Sequence, residues 1–353
     1  MKKTVCLFLA LILAASVAFA ASGKELVGVV MPTRSEERWN KDGAAVKEGL
    51  EKLGYAVDLQ FSDDDIPTQV RQIEDLITKG VKVLVIASID GSALSDVLAN
   101  AAAAKIPIIA YDRLLMKSPN VDYYVSFDNY KVGRQMGEIL VKGAKLDSPA
   151  KKPLNIELFA GSPDDNNSVG FWDGAIDVLK PYFDNGTLVV LSKQTERTVC
   201  GTLRWDAAEA QKRMENLLSA FYTDATLDLI LSPYDPISLS CLEACKAVGY
   251  GSAGKPLPLV GGQDCIVASC KSILAGEQYA TVLKDTRSLG AATVTLVDNI
   301  LTGKPVGTLD TTSYNNGAKI VPSLLLDSVI VTKDNLKKDV VDTGYHTAAE
   351  VGL

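Results

Sequence analysis

Short apolar runs recur along this chain, and each ends in a knot of polar side chains. Leu26–Met31 runs into Arg34 through Trp39, and 106–110 into Tyr111-Asp112-Arg113. The run at 156–160 leads to Asp164-Asp165-Asn166-Asn167, and the run at 227–231 to Tyr234-Asp235. Residues 259–260 pass through Gly261-Gly262 to Gln263-Asp264, and Ala280–Leu283 to Lys284-Asp285-Thr286-Arg287. Between the runs lie patterns of helical period, for example at 42–53, 67–78 and 93–104. This alternation predicts βαβ units and a parallel sheet. The strand runs at 81–87, 106–110 and 124–127 are almost continuously apolar, as strands covered by helices on both faces must be. In such sheets ligands bind at the carboxyl ends of the strands, where this chain collects Asp, Asn, Arg and Lys.

The alternation restarts after a Lys-, Pro- and Ser-containing stretch at 144–153. Strand-like runs then fall at 154–160, 188–191, 227–231 and 257–260, with helical patterns at 168–179, 207–222 and 236–248. The expected fold is α/β, with two doubly wound parallel-sheet domains, which suits a length of 353 residues. Residues 323–332 read as two short strands split by Asp327 with no helix between them.

Residues 1–20 stand apart from this pattern. Lys2 and Lys3 precede an apolar stretch at 5–15 and the small-x-small signal Ala18-Phe19-Ala20. That is the form of a cleavable secretory signal cut after Ala20, and the apolar stretch is too short for a confident membrane span. The expected protein is periplasmic and soluble. Its removal takes two lysines and no acid, moving the formal charge from −7 to −9. An acidic chain without a basic stripe argues against nucleic acid as a partner. Five cysteines remain, Cys200, Cys241, Cys245, Cys265 and Cys270, and an odd number leaves at least one thiol free. None of their spacings is the C-x-x-C of a zinc or redox site, so buried inert thiols or a disulfide within the second half are the competing expectations.

Other features lose weight in context. Gly249, Gly251 and Gly254 match G-x-G-x-x-G, but they follow a helix and precede a strand, the reverse of a dinucleotide site. They read as a helix stop and turn needing positive φ. His346 is the only histidine and is expected to be a solvated tail residue, which removes most hydrolase arrangements. Carboxylates at Asp112, Asp164, Asp165, Asp235 and Asp264 could serve a glycosidase or merely cap helices. With Arg and Lys among them they better suit hydrogen bonding to vicinal hydroxyls. Trp39 and Trp205 adjoin these clusters and suit stacking on a sugar ring, whereas Trp172 reads as core.

Taken in order, certain strings resemble one family. They are Glu37-Arg38-Trp39-Asn40-Lys41-Asp42, Tyr111-Asp112-Arg113, Phe127-Asp128-Asn129, the run from Gly161 to Asn167, Trp205, Ser232-Pro233-Tyr234-Asp235, Gly262-Gln263-Asp264 and Lys284-Asp285-Thr286-Arg287. Across the mature length the chain resembles the type I periplasmic sugar-binding proteins of ABC transporters, with multiple-sugar receptors nearest and xylose-binding proteins next. The resemblance implies two domains joined by a three-strand hinge, here 21–127 plus 284–311 and 128–283 plus 312–353, with crossings near 127–129, 283–284 and 311–314. It implies sugar contacts from Arg38, Trp39, Asp112 and Arg113 in the first domain. Asp165, Asn167, Trp205, Asp235 and Asp264 serve in the second, with Lys284 at a crossover. Where xylose-binding proteins have Ser-Asn-Asp this chain has Ser-Pro-Tyr-Asp. Changes at Tyr234 or Asp235 are therefore expected to reorder sugar preference.

The implied function is capture of an aldopyranose such as arabinose, galactose, glucose or xylose, or several of these, by hinge closure. A monomer would deliver the sugar to an ABC permease, with a chemoreceptor or sensor as a second candidate partner. No chemistry, cofactor or metal is implied. A carbohydrate-active enzyme, a receptor for a non-sugar small molecule and a transcription-regulator effector domain are the rivals. The missing N-terminal helix-turn-helix and the leader count against the last.

Overall fold

The computed structural model describes residues 24–148 and 152–353, so the leader expected at 1–20 lies outside the described residues. The chain opens with β1 (Leu26–Met31), α1 (Glu37–Lys52), β2 (Ala56–Phe61), α2 (Ile66–Thr78), β3 (Val83–Ile86), α3 (Ser95–Ala103) and β4 (Ile108–Tyr111). Next come β5 (Tyr123–Phe127), α4 (Asn129–Gly143), β6 (Leu154–Leu158), α5 (Asn167–Asp184), β7 (Leu188–Val189) and the single turn α6 (Arg197–Cys200). They are followed by α7 (Ala207–Phe221), β8 (Leu229–Leu231), α8 (Asp235–Ala247), β9 (Leu259–Val260), α9 (Val267–Ala275) and β10 (Ala280–Leu283). The last elements are α10 (Thr286–Thr302), β11 (Ser323–Leu326), β12 (Val329–Thr332) and the short α11 (Ala348–Val351). No helix among the described residues is long and apolar enough to cross a membrane.

The described chain divides into two compact units. One holds the residues up to Ser126 and Thr286–Leu326; the other holds Phe127–Asp285 and Asp327–Leu353. The third division, at Leu326–Asp327, falls later than the 311–314 expected from sequence. The reason is local pairing: β11 lies beside β5, and the Asn316 amide donates to the carbonyls of Leu115 and Ser118 at 3.0 and 2.8 Å. Residues 312–326 therefore belong with the first unit.

In the first unit the strand order is β11-β5-β4-β3-β1-β2, and the β1–β2, β1–β3, β3–β4 and β4–β5 pairs are parallel. Every residue of β1 is buried, as a central strand between helical layers requires. Val30, Leu84, Ile86, Ile108 and Tyr124 form part of one apolar core. Strand β2 interrupts its apolar run with Asp58 and Gln60 and is half-buried throughout, which is why its signal is weak. Helix α1 starts five residues before the pattern at 42–53. Its first turn is polar, held by a Lys41–Glu37 pair at 2.6 Å, and turns Trp39 inward. Helix α2 starts where Asp65 accepts from the Thr68 amide at 2.8 Å, with Pro67 in its first turn.

The second unit has a four-stranded sheet, β7-β6-β8-β9, with all pairs parallel. A parallel bridge between Gln263 and Val282 carries the pattern on to β10, which pairs antiparallel with β12. Helix α4 is capped by Asp128, which accepts from the Lys131 amide at 3.0 Å. Helices α4 and α5 approach through Gly133, Gly137, Gly170 and Gly174. A Cβ on Gly174 would lie 2.1 Å from the Tyr130 carbonyl oxygen, and one on Gly133 would lie 2.3 Å from that of Phe171. Only hydrogen fits there.

Gly249, Gly251 and Gly254 all have φ near +90° and link α8 to β9, the turn that their order predicts. His346 corrects its reading as a solvated residue: it is buried, and its Nε2 lies 2.7 Å from the Cys265 carbonyl oxygen. Trp172 is half-buried rather than core. The five cysteines are free and buried, and Cys265 and Cys270 bring their sulfurs to 3.5 Å.

Candidate functional site

Two clusters of the expected residues form, one in each unit. In the first unit Arg38 and Trp39 lie on the first turn of α1, and Asp112 and Arg113 follow β4. Asp112 takes a left-handed φ of 58°, a strained choice for a residue with a side chain. It is held there because its amide donates to Val125 at 2.8 Å, while its carbonyl accepts from the hydroxyls of Tyr124 and Ser126 at 2.7 and 2.9 Å. Arg38 donates Nη2 to Asp112 at 2.9 Å and Nε to Asp42 at 3.3 Å. Asp42 is fully buried and also accepts from the Tyr111 hydroxyl. Burial pushes its carboxyl up to about 6 against the pull of Arg38.

Trp39 is 1% exposed, and the guanidinium carbons of Arg38 and Arg113 stand 4.4 and 5.0 Å from its ring centre. Its indole N–H has no acceptor among the described residues. Arg113 donates to the Ser88 carbonyl at 3.1 Å. The cluster holds two arginines, the carboxylates of Asp42 and Asp112 and an unsatisfied buried N–H, on the segments that follow β1 and β4. Buried polar groups normally find partners, so this concentration makes the cluster a candidate site for a polar ligand.

In the second unit Asp165 is the centre. One carboxylate oxygen accepts from the Asn167 amide at 2.9 Å and the other from the Trp205 indole N–H at 3.2 Å. Asn129, at the start of α4, donates to the Asn167 side-chain oxygen at 2.8 Å. Trp205 sits on two consecutive left-handed residues, Arg204 at φ 57° and Trp205 at φ 59°. That turn is pinned by Arg204, whose amide donates to Ser162 Oγ at 2.8 Å and whose guanidinium meets Asp164 at 3.2 Å. The indole packs against Gly161, where a Cβ would lie 2.0 Å from the nearest ring carbon. Phe171 and Tyr234 meet Trp205 edge-on at 6.2 and 5.9 Å between centroids.

Asp264 follows β9 with φ 88°, and its amide donates to Val282 at 2.9 Å. Its carboxylate pairs with Lys284 at 3.0 Å; Lys284 is 3% exposed, with its ammonium 5.3 Å from the centre of the Phe171 ring. Asp235 is placed differently from the expectation. It is wholly buried behind the loop, and its two oxygens are taken by Gln278, Thr281 and the Ile266 amide. Burial pushes its carboxyl up to about 7, opposed by those donors. The neighbouring Tyr234, not Asp235, stands against Trp205.

Sequence reading passed over Asn129 and Asp42. The first was visible as part of Phe127-Asp128-Asn129, and the second as a carboxylate four residues after Arg38, the spacing that faces it on a helix. No cluster of three or more metal-binding side chains occurs among the described residues.

Parallel α/β units with polar side chains at their strand ends suit the binding of a small polar solute. The periplasmic binding protein domain matches residues 27–305, so the chain belongs to the periplasmic binding protein family. It is 53% identical over 334 residues to the multiple sugar-binding periplasmic receptor ChvE of Rhizobium radiobacter, covering 95% of this chain and 94% of that protein. It is 35% identical over 333 residues to the D-xylose-binding periplasmic protein of Escherichia coli K12, covering 94% of each. Among solved structures, an ABC transporter solute-binding protein from Clostridium phytofermentans with bound β-D-glucose superposes at a TM-score of 0.88. The two are 44% identical, over 93% of this chain and 100% of that one. The chain is a transport receptor, not an enzyme, and its family places it in the periplasm.

Proposed function

We propose that the protein captures a monosaccharide, an aldopyranose such as arabinose, galactose, glucose or xylose, and accepts more than one of them. The sugar binds the closed form better than the open one, shifts the population toward it by hinge closure, and is delivered to an ABC permease. The observation that carries the reading is the pair of polar clusters. Arg38, Arg113, Asp112 and Trp39 offer donors and an acceptor in one unit, and Asp165, Asn167, Asp264 and Lys284 do so in the other. Trp205 supplies the ring face. The relatedness to a multiple-sugar receptor supports breadth over xylose selectivity. In this reading the receptor is a monomer, and a chemoreceptor is the second partner to be sought by co-purification.

A thermal-shift screen of aldoses and sugar acids tests the ligand class. A ligand at 100 times its Kd adds about 2.7 kcal/mol to stability, which raises the melting temperature by several degrees. More than one aldopyranose should give that shift. A shift from amino acids alone, or from none of the aldoses, would overturn the sugar assignment.

Processing is part of the same reading. Intact-mass measurement on exported protein is expected to show loss of residues 1–20 with Ala21 as the new N-terminus. Retention of those residues would refute the leader.

A further inference from the structure

We propose that Asp235 is a positioning residue that holds the Asp264 loop in its binding shape; this rests on the reading of Asp264 as a sugar acceptor. Asp235 grips the loop on both sides of Asp264. Its backbone amide donates to the Gln263 carbonyl at 3.1 Å, and its Oδ2 accepts from the Ile266 amide at 3.1 Å. The Thr281 hydroxyl lies 2.9 and 3.0 Å from the two carboxylate oxygens and takes the Cys265 amide at 3.3 Å. The residues flanking Asp264 are thus tied to one buried residue, Gln263 through the Asp235 backbone amide and Cys265 through the Thr281 hydroxyl to the Asp235 carboxylate.

That tie is needed because the loop is strained. Asp264 and Cys265 are both left-handed, at φ 88° and 52°, a conformation that side-chain-bearing residues keep only where surroundings impose it. The remaining acceptor capacity of Asp235 is filled by Gln278 Nε2 at 2.9 Å, and Gln278 is itself fixed by Ser269 at 2.8 Å. Gly262 completes the fit, since a Cβ there would stand 2.1 Å from Asp235 Oδ1. All the side-chain and backbone groups that meet this carboxylate are donors. An amide in its place would turn one N–H toward another, releasing one side of the loop while leaving the volume unchanged.

The test is a double-mutant cycle read by titration calorimetry with D-glucose and D-xylose. Asp235→Asn is expected to weaken both sugars by a similar factor of about 10. In an Asp264→Ala background the same change should cost less than about 2-fold, because the residue it positions is gone. Thr281→Val, which cuts the same tie from the other end, should repeat the pattern and serves if Asp235→Asn does not fold. Equal losses in both backgrounds, a changed preference between the two sugars, or full affinity in Asp235→Asn would overturn the positioning role alone. Wild-type affinity in Asp264→Ala would instead overturn the underlying site assignment, and the positioning role with it.

Discussion

Asp264→Ala should weaken sugar binding at least about 10-fold and also lower the stability of the unliganded protein, for two separable reasons. The carboxylate accepts hydrogen bonds from sugar hydroxyls in the proposed complex, and roughly 1.4 kcal/mol of lost interaction is one decade in affinity. It also neutralises Lys284, which is 3% exposed and 3.0 Å away. Removing one member of a buried pair typically costs about 3–5 kcal/mol, because the remaining charge has neither partner nor water. The two effects separate in Asp264→Ala/Lys284→Met. There the orphaned charge is gone and stability should recover toward wild type, while affinity stays low. Calorimetry and chemical denaturation on the same samples measure both. Undiminished affinity in Asp264→Ala, with the fold intact, would remove Asp264 from the site.

The largest effect on folding is expected at the α4–α5 contact. Gly174→Ala places a methyl carbon where the Tyr130 carbonyl oxygen now lies 2.1 Å away, and Gly133→Ala does the same against Phe171 at 2.3 Å. Both obstacles are backbone, so no side-chain rotation relieves them, and the helices must part. Overpacking of this kind costs about 1–3 kcal/mol and more where backbone must move. Each variant should lie at or above the top of that range. Separation also strains the Asn129–Asn167 hydrogen bond at 2.8 Å, since those residues open the two helices. Sugar affinity should therefore fall in any variant that still folds. By contrast Gly186→Ala, at an open turn with φ 76° at the end of α5, should cost only about 1 kcal/mol. Equal melting temperatures for Gly174→Ala and wild type would contradict the close packing.

Much of this protein is legible in the order of its residues because its two strongest signals are local. An apolar run of four to six residues followed by a helical period is read directly, and β1 and β10 fall where that pattern puts them, while β11 and β12 fall at the two apolar pieces around Asp327. The polar knots after β4, β6, β9 and β10 follow from the same order, since a parallel strand must end at the ligand-binding edge of its sheet. Helix α1 was legible only from Asp42 onward, because a polar first turn carries no apolar period.

Other features depend on contacts between distant segments, and only tertiary structure decides them. Tyr234 and Asp235 are adjacent in sequence, and both carry a hydrogen-bonding group. One turns toward Trp205, and the other is drawn inward by Gln278 and Thr281, more than forty residues away. His346 reads as a solvated tail residue until the Cys265 carbonyl, 81 positions earlier, is found against its ring. Residues 312–326 read from sequence as part of the second half, and pairing of β11 beside β5 assigns them to the first unit. Sequence alone determined the α/β class, the duplication of units and the strand ends that carry polar residues, because these rest on periodicity and chain order. Tertiary structure decided which of those polar side chains are taken up by protein donors behind the loop, as Asp235 is, because a carboxylate's surroundings depend on segments distant in sequence.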